Sequence, residues 1–241
     1  MNIAAFFDID GTLYRDALII EHFKKLIKYD IIDQKYWYNN VRDTFMNWDK
    51  RQGNYDDYLE KVCKIYVDAI KGLNNDYIDF TSNQVIRLKS DRIYKYTRNR
   101  IDWHHKQGHK IIFISGSPDF LVSKMAKKYN ADDFEGSKYI FENGIFTGNV
   151  EPMWNSESKN NAIDKFKKKF DIDLDNSYAY GDTNGDIQMF KRVGNPVAIN
   201  PTKELLKAII NSNEISSKIK IIVERKDIIY SLKPDVEIFD L

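Results

Sequence analysis

The segment Phe6-Phe-Asp-Ile-Asp-Gly-Thr-Leu13 constrains this chain more than any other. An apolar run from Ile3 to Phe7 ends in two carboxylates two positions apart, Asp8 and Asp10, and a Gly-Thr turn follows. This reads as a buried strand over residues 3–8. Residues i and i+2 of a strand share a face, so both acids project toward one spot at its carboxyl end. That is where open α/β sheets bind ligands. Two carboxylates brought together out of water repel, and a cation or a proton must offset them. Taken alone, Asp-Gly is also ordinary turn chemistry.

The rest of the chain supplies the sheet for that strand. Residues 15–100 carry no convincing strand; they hold aromatics at helical spacing (Tyr36, Trp37, Tyr38, Phe45, Trp48, Tyr55, Tyr58, Tyr66), broken by Gly53-Asn54 and Gly72-Leu-Asn-Asn75. Most of these rings are assigned to packing between helices. A helix over 91–107 leads into Lys110-Ile-Ile-Phe-Ile-Ser115, an apolar run suited to a strand covered on both faces. Pro118 fits the first turn of a helix over about 119–129. Residues 139–148 read as a hairpin turning at Asn143-Gly144. Then come a helix at about 157–170, strands at 177–180 and 193–199, a helix at 202–211 and a strand at 218–223. Strands alternating with helices imply an α/β fold with a parallel sheet and right-handed crossovers.

Composition narrows the function classes. Charged residues make up 30% of the 241, yet the formal net charge is only +1. No overall field draws the chain to nucleic acid or to an anionic membrane, so neither is an expected partner. The run Lys165-Phe-Lys-Lys-Lys169 reads as the wet face of a helix. The one cysteine, Cys63, excludes an intrachain disulfide and sits in a helical pattern where a small buried residue is expected. There is no basic lead-in of a signal peptide and no run of membrane-span length, so the expected location is cytoplasmic.

Four sequence-distant sites then carry residues suited to one chemistry. The first is Asp8 with Asp10. The second is Ser115-Gly116, a hydroxyl and backbone N–H groups between a strand and a helix, the composition of a phosphate cradle. The third is Lys159 in Ser156-Glu-Ser-Lys159, near a helix start. The fourth is Asp182 and Asp186 in Gly181-Asp-Thr-Asn-Gly-Asp186, after a strand. Singly, Lys159 reads equally as a surface lysine, Ser115 as a helix cap and Asp182 as a turn residue. A parallel sheet gathers all four at one edge.

In order and spacing these residues resemble the haloacid dehalogenase superfamily of phosphotransfer enzymes. The helical insert after the first motif and the hairpin before Lys159 look like its phosphoserine-phosphatase-like branch. The resemblance implies a Rossmann-like core at 1–14 and 96–241 and a helical cap at 15–95. It implies a Mg²⁺-dependent phosphomonoester hydrolase whose partner is a small phosphate ester. By that resemblance the metal is held by the Asp8 carboxylate, the Asp10 backbone carbonyl and the Asp182 carboxylate, with Asp186 orienting the site. Asp8 then attacks phosphorus. Asp10 protonates the leaving alcohol and later activates water. Ser115, Gly116 and Lys159 bind the phosphoryl oxygens.

One position departs from the branch. The glutamate expected nine residues after the nucleophile, which holds the amine of phosphoserine, is replaced by Ala17 with Asp16 beside it. Phosphoserine specificity therefore does not carry over. Tyr14, Trp37, Phe45 and Trp48 are the candidate lining groups for another substrate. A phosphomutase of the same superfamily, or an inactive protein that binds phosphate esters, stays open as an alternative. His104, His105 and His109 are expected to face solvent.

Overall fold

A computed structural model describes residues 1–237. In chain order the elements are β1 (Ala4–Phe7), α1 (Leu18–Lys28), α2 (Lys35–Asn40), α3 (Arg42–Asp49), α4 (Tyr55–Ile70), α5 (Asn75–Lys89) and α6 (Lys95–Gln107). There follow β2 (Lys110–Pro118), α7 (Asp119–Lys128), β3 (Asp133–Glu142), β4 (Ile145–Glu151), α8 (Ser156–Phe170) and β5 (Tyr178–Gly181). A 3₁₀ turn (Asn184–Asp186) leads to α9 (Ile187–Arg192), β6 (Asn195–Ile199), α10 (Lys203–Ile210), α11 (Asn213–Ser216), β7 (Lys220–Arg225) and β8 (Ile228–Leu232). No helix among the described residues is long and apolar enough to cross a membrane. The chain divides into two compact units: 1–16, 90–137 and 152 onward in one, 17–89 and 138–151 in the other.

The first unit is the α/β core. Its strands lie in the order β3-β2-β1-β5-β6-β7-β8, parallel except where β8 turns back on β7. Phe7 of β1 registers with Phe113 on one side and Tyr180 on the other. The later strands are laid down on one side of β1 up to β3 and on the other side from β5. The crevice of the reversal therefore opens at the carboxyl end of β1.

Four small or aromatic residues, Ala-Ala-Phe-Phe, build this central strand, and all are fully buried. The two-residue period splits them. Phe6 faces a cluster with Ile112, Ile114, Phe166, Met189 and Phe190. Phe7 faces the other side, stacked on Tyr180 at 4.2 Å and edge-on to His104 at 5.9 Å. Helix α6 closes that side. The backbone N–H groups of Lys95 and Tyr96 at its start donate to the Glu224 carboxylate at 2.9 and 2.8 Å, which places negative charge at the positive end of the helix dipole. It ends at Gly108 in the left-handed conformation (φ 71°).

His104 corrects the sequence expectation. It is fully buried, not solvent-facing, with Nε2 2.9 Å from the Tyr180 hydroxyl and Nδ1 2.9 Å from His109 Nδ1. Burial depresses its pKa to about 3, and Arg100, His109 and His105 push the same way. Above the ordinary value of 6.5 folded and unfolded chains both hold it neutral. Below that value only the unfolded chain takes the proton, so folding stability falls by about 1.4 kcal/mol per pH unit. Urea denaturation at pH 7 and pH 5 should therefore show the wild type losing about 2 kcal/mol more than His104→Gln. Equal losses in both proteins would contradict this account.

The second unit is helical. Trp37, Phe45, Trp48, Tyr55 and Tyr58 form one aromatic cluster, with Trp48 stacked on Tyr58 at 5.5 Å, so these rings are packing residues of their own unit. The buried His22 is held from both ring nitrogens, by the Tyr66 hydroxyl and the Thr81 hydroxyl at 2.6 Å each. Thr81 spends its own proton on the Tyr77 carbonyl at 2.7 Å. Nε2 of His22 is therefore the donor to Thr81, and Tyr66 donates to Nδ1. Cys63 is only half-buried.

The hairpin groups with this unit, whereas the sequence placed it with the core. Gly72 N donates to Phe146 O at 2.9 Å, Phe146 N to Leu73 O at 2.9 Å and Asn75 N to Gly144 O at 2.7 Å. Tyr139 packs edge-on to Tyr66. Residues 138–151 of the hairpin lie beyond the pairing of β3 with β2, and α4 with the turn after it supplies their neighbour.

Candidate active site

Asp8 continues β1 by one residue, its N–H donating to Tyr180 O at 2.9 Å, so the sheet itself fixes its backbone. The following turn folds back on one carbonyl: Ile9 O accepts from the N–H of Leu13 at 2.9 Å and of Tyr14 at 2.7 Å. Gly11 occupies this turn at φ 80°, and a Cβ there would lie 2.0 Å from Asp182 Oδ2. Glycine thus serves twice, by permitting the left-handed backbone and by leaving space for the carboxylate of the neighbouring strand. Thr12, next in line, donates from its hydroxyl to Asp182 Oδ1 at 2.9 Å.

Lys159 lies in the first turn of α8, whose N-cap Asn155 accepts from Ser158 N at 2.8 Å. Only 3% of Lys159 is exposed. Its ammonium donates to Asp8 at 2.7 Å and to Asp186 at 2.6 Å. The other oxygen of Asp186 accepts from the backbone N–H groups of Asp182 (3.0 Å) and Thr183 (3.1 Å). Asp186 is therefore committed through both oxygens, while Asp8 and Asp182 are the acids whose environment is unbalanced.

Burial pushes the Asp8 carboxyl up to about 7; Lys159 pulls against this, and Asp186 and Asp10 add to it. Asp182 is also held well above the ordinary carboxylate range by burial, then by Asp8 and Asp186. Burial alone would lower Lys159, but Asp186 and Asp8 outweigh it and raise the ammonium above its usual value. One lysine thus faces three buried carboxylates, with Asp10 beside them. Oxygens of Asp8, Asp182 and Asp186 lie within 4.8 Å of one another. Hard oxygen donors in negative excess are the donor set that suits Mg²⁺. The residues fit a divalent cation.

Asp10 is steered elsewhere. Its carboxylate accepts from the Ser117 hydroxyl at 2.5 Å. Ser115 lies fully buried inside β2, three residues before its end, its Oγ accepting from Ser117 N at 3.2 Å, with Gly116 between them. The structure thus gathers Asp8, Asp182, Asp186 and Lys159 in one buried cluster and sets Ser115 and Gly116 in the adjacent strand β2. Ser117 and Thr12 were not singled out in the sequence. Their signal was position: Ser117 is the second hydroxyl of Ser115-Gly-Ser117, and Thr12 sits inside the first motif.

Residues 5–191 match the family described as haloacid dehalogenase-like hydrolase. The chain belongs to this family. It is an enzyme by class, a haloacid dehalogenase-like hydrolase. It is 26% identical over 206 residues to a Streptomyces azureus protein described by inhibition of morphological differentiation, covering 84% of this chain and 73% of that one. It is 30% identical over 128 residues to the phosphoserine phosphatase of Methanocaldococcus jannaschii, covering 53% and 56%. Its fold matches a phosphoserine phosphatase solved as a phospho-aspartyl intermediate analogue, with a TM-score of 0.60, 21% identity and coverage of 94% and 95%.

Proposed function

We propose that this hydrolase is a Mg²⁺-dependent phosphatase that cleaves small organic phosphate monoesters through an aspartyl-phosphate on Asp8. The observation that carries the reading is the division of labour between the first two acids. Asp8 is gripped by Lys159 among buried carboxylates, while Asp10, two residues on, is held apart by Ser117.

Asp8, Asp182 and the Asp10 backbone carbonyl would hold the cation, with Asp186 supporting. When bound, the metal supplies charge that lets an anionic nucleophile and an anionic ester meet. Lys159 neutralises phosphoryl oxygens, and Ser115 with the Gly116 N–H hydrogen-bonds them. Asp10 gives its proton to the leaving oxygen and later takes one from water. The Ser117 hydroxyl fixes the Asp10 carboxylate for both steps. The insert is assigned the cap role, in line with its place after the first motif. Ala17, where the branch carries an amine-binding glutamate, supports a substrate other than phosphoserine.

Phosphate release from p-nitrophenyl phosphate with and without Mg²⁺ tests the class. Asp10→Asn tests the acid. Its loss should be at least about tenfold larger for an alkyl phosphate, whose leaving alkoxide needs a proton, than for p-nitrophenolate, which does not. Equal losses on the two substrates would remove Asp10 from that role.

A further inference from the structure

Three of the four tryptophans pack against other rings: Trp37 on Phe23 and Phe45, Trp48 on Phe45 and Tyr58, Trp103 on His104 and Tyr178. Trp154 stands apart. It is 53% exposed and has no ring partner among the described residues. Yet its backbone is tightly seated in the core unit. A Cβ on Gly116 would lie 3.0 Å from the Trp154 Cβ, and one on Gly185 would lie 2.6 Å from the Trp154 carbonyl oxygen. Two glycines beside the site, one in β2 and one in the 3₁₀ turn, thus make room for this one residue.

Packing does not account for the ring. Trp154 precedes the N-cap Asn155 of α8, where an apolar residue often packs against the fourth helical residue. Here that residue is Lys159, whose ammonium is spent on Asp8 and Asp186. The backbone and Cβ of Trp154 are fixed against two glycines beside the site while its ring is half-exposed, which leaves an aromatic face open to a bound molecule.

Its place indicates which part of a substrate it meets. Gly116 lies between Ser115, assigned to the phosphoryl group, and Ser117, which holds Asp10. Asp10 is the acid that faces the leaving oxygen, so the organic part of the ester extends from this side. We propose that Trp154 is a specificity residue that stacks on the leaving group, and that the preferred substrates are phosphate monoesters carrying a flat aromatic ring close to the ester oxygen. This rests on the phosphatase reading above.

Benzyl phosphate and ethyl phosphate test it, because both release simple alcohols and differ by the ring. The wild type should favour benzyl phosphate in kcat/KM by about tenfold. Trp154→Ala should erase that ratio, chiefly through KM, and Trp154→Phe should keep most of it. Benzylphosphonate and ethylphosphonate, measured calorimetrically in the presence of Mg²⁺, should show the same ratio in binding without any turnover. An unchanged benzyl-to-ethyl ratio in Trp154→Ala, in turnover or in binding, overturns the assignment. If no ester is hydrolysed by the wild type, the phosphatase reading fails, and the phosphonate ratio still decides the role of Trp154.

Discussion

Asp8→Asn should lower kcat/KM for every phosphate ester by at least about a thousandfold while leaving the fold intact. The substitution changes almost no volume, and the backbone N–H still bonds Tyr180 O. What it removes is the attacking oxygen anion and one of the charges that balance a cation. A second readout follows. Saturating Mg²⁺ should stabilise the wild type against urea by about 2–3 kcal/mol at a hundredfold excess over Kd, and Asp8→Asn by clearly less. Beryllium fluoride with Mg²⁺ should raise the wild-type melting temperature further and leave the variant unmoved. Turnover within tenfold of wild type would refute the nucleophile assignment.

Lys159→Met carries the largest expected effect on stability. The side chain keeps its length and loses its charge, so Asp8 and Asp186 lose the cation that each contacts within 2.7 Å. Breaking one partner out of a buried ion cluster costs about 3–5 kcal/mol, because the remaining charges stay desolvated and unpaired. The catalytic loss should be about 10²–10³-fold, since a preorganised positive group at the phosphoryl oxygens disappears. Mg²⁺ should restore part of the stability and little of the rate, which separates the two roles of the lysine. A variant as stable as the wild type without metal would show that the carboxylates share a proton instead of leaning on Lys159.

Much of the core was legible in the sequence because it is built from two-sided burial. Ala4–Phe7 and Ile111–Ile114 are unbroken apolar runs, and such runs are strands in the middle of a parallel sheet. The site was legible because each motif stands where a strand ends or a helix starts. The missed parts lack those signatures. Strand β8 shows no alternation, since Ile228 to Ser231 are exposed on both faces of an edge strand. The first half of β3, Asp133 to Ser137, is mostly polar and half-buried, and it is held by its register against β2 and not by an apolar face. His104 was hidden by its exposed neighbours, although Thr97, Ile101 and His104 recur at the four- and three-residue steps of a buried stripe. Ser117 has no pattern at all: its role exists only because β2 lies beside β1 and brings the hydroxyl to Asp10.

Asp8 hangs from β1 and Asp182 begins one residue beyond the end of its neighbour β5. Adjacent strands repeat at about 4.8 Å. The backbone spacing beneath the two acids is therefore set largely by the pairing of β1 with β5. Insertions and deletions elsewhere in the chain can reshape what enters the crevice without retuning the distance on which the chemistry depends.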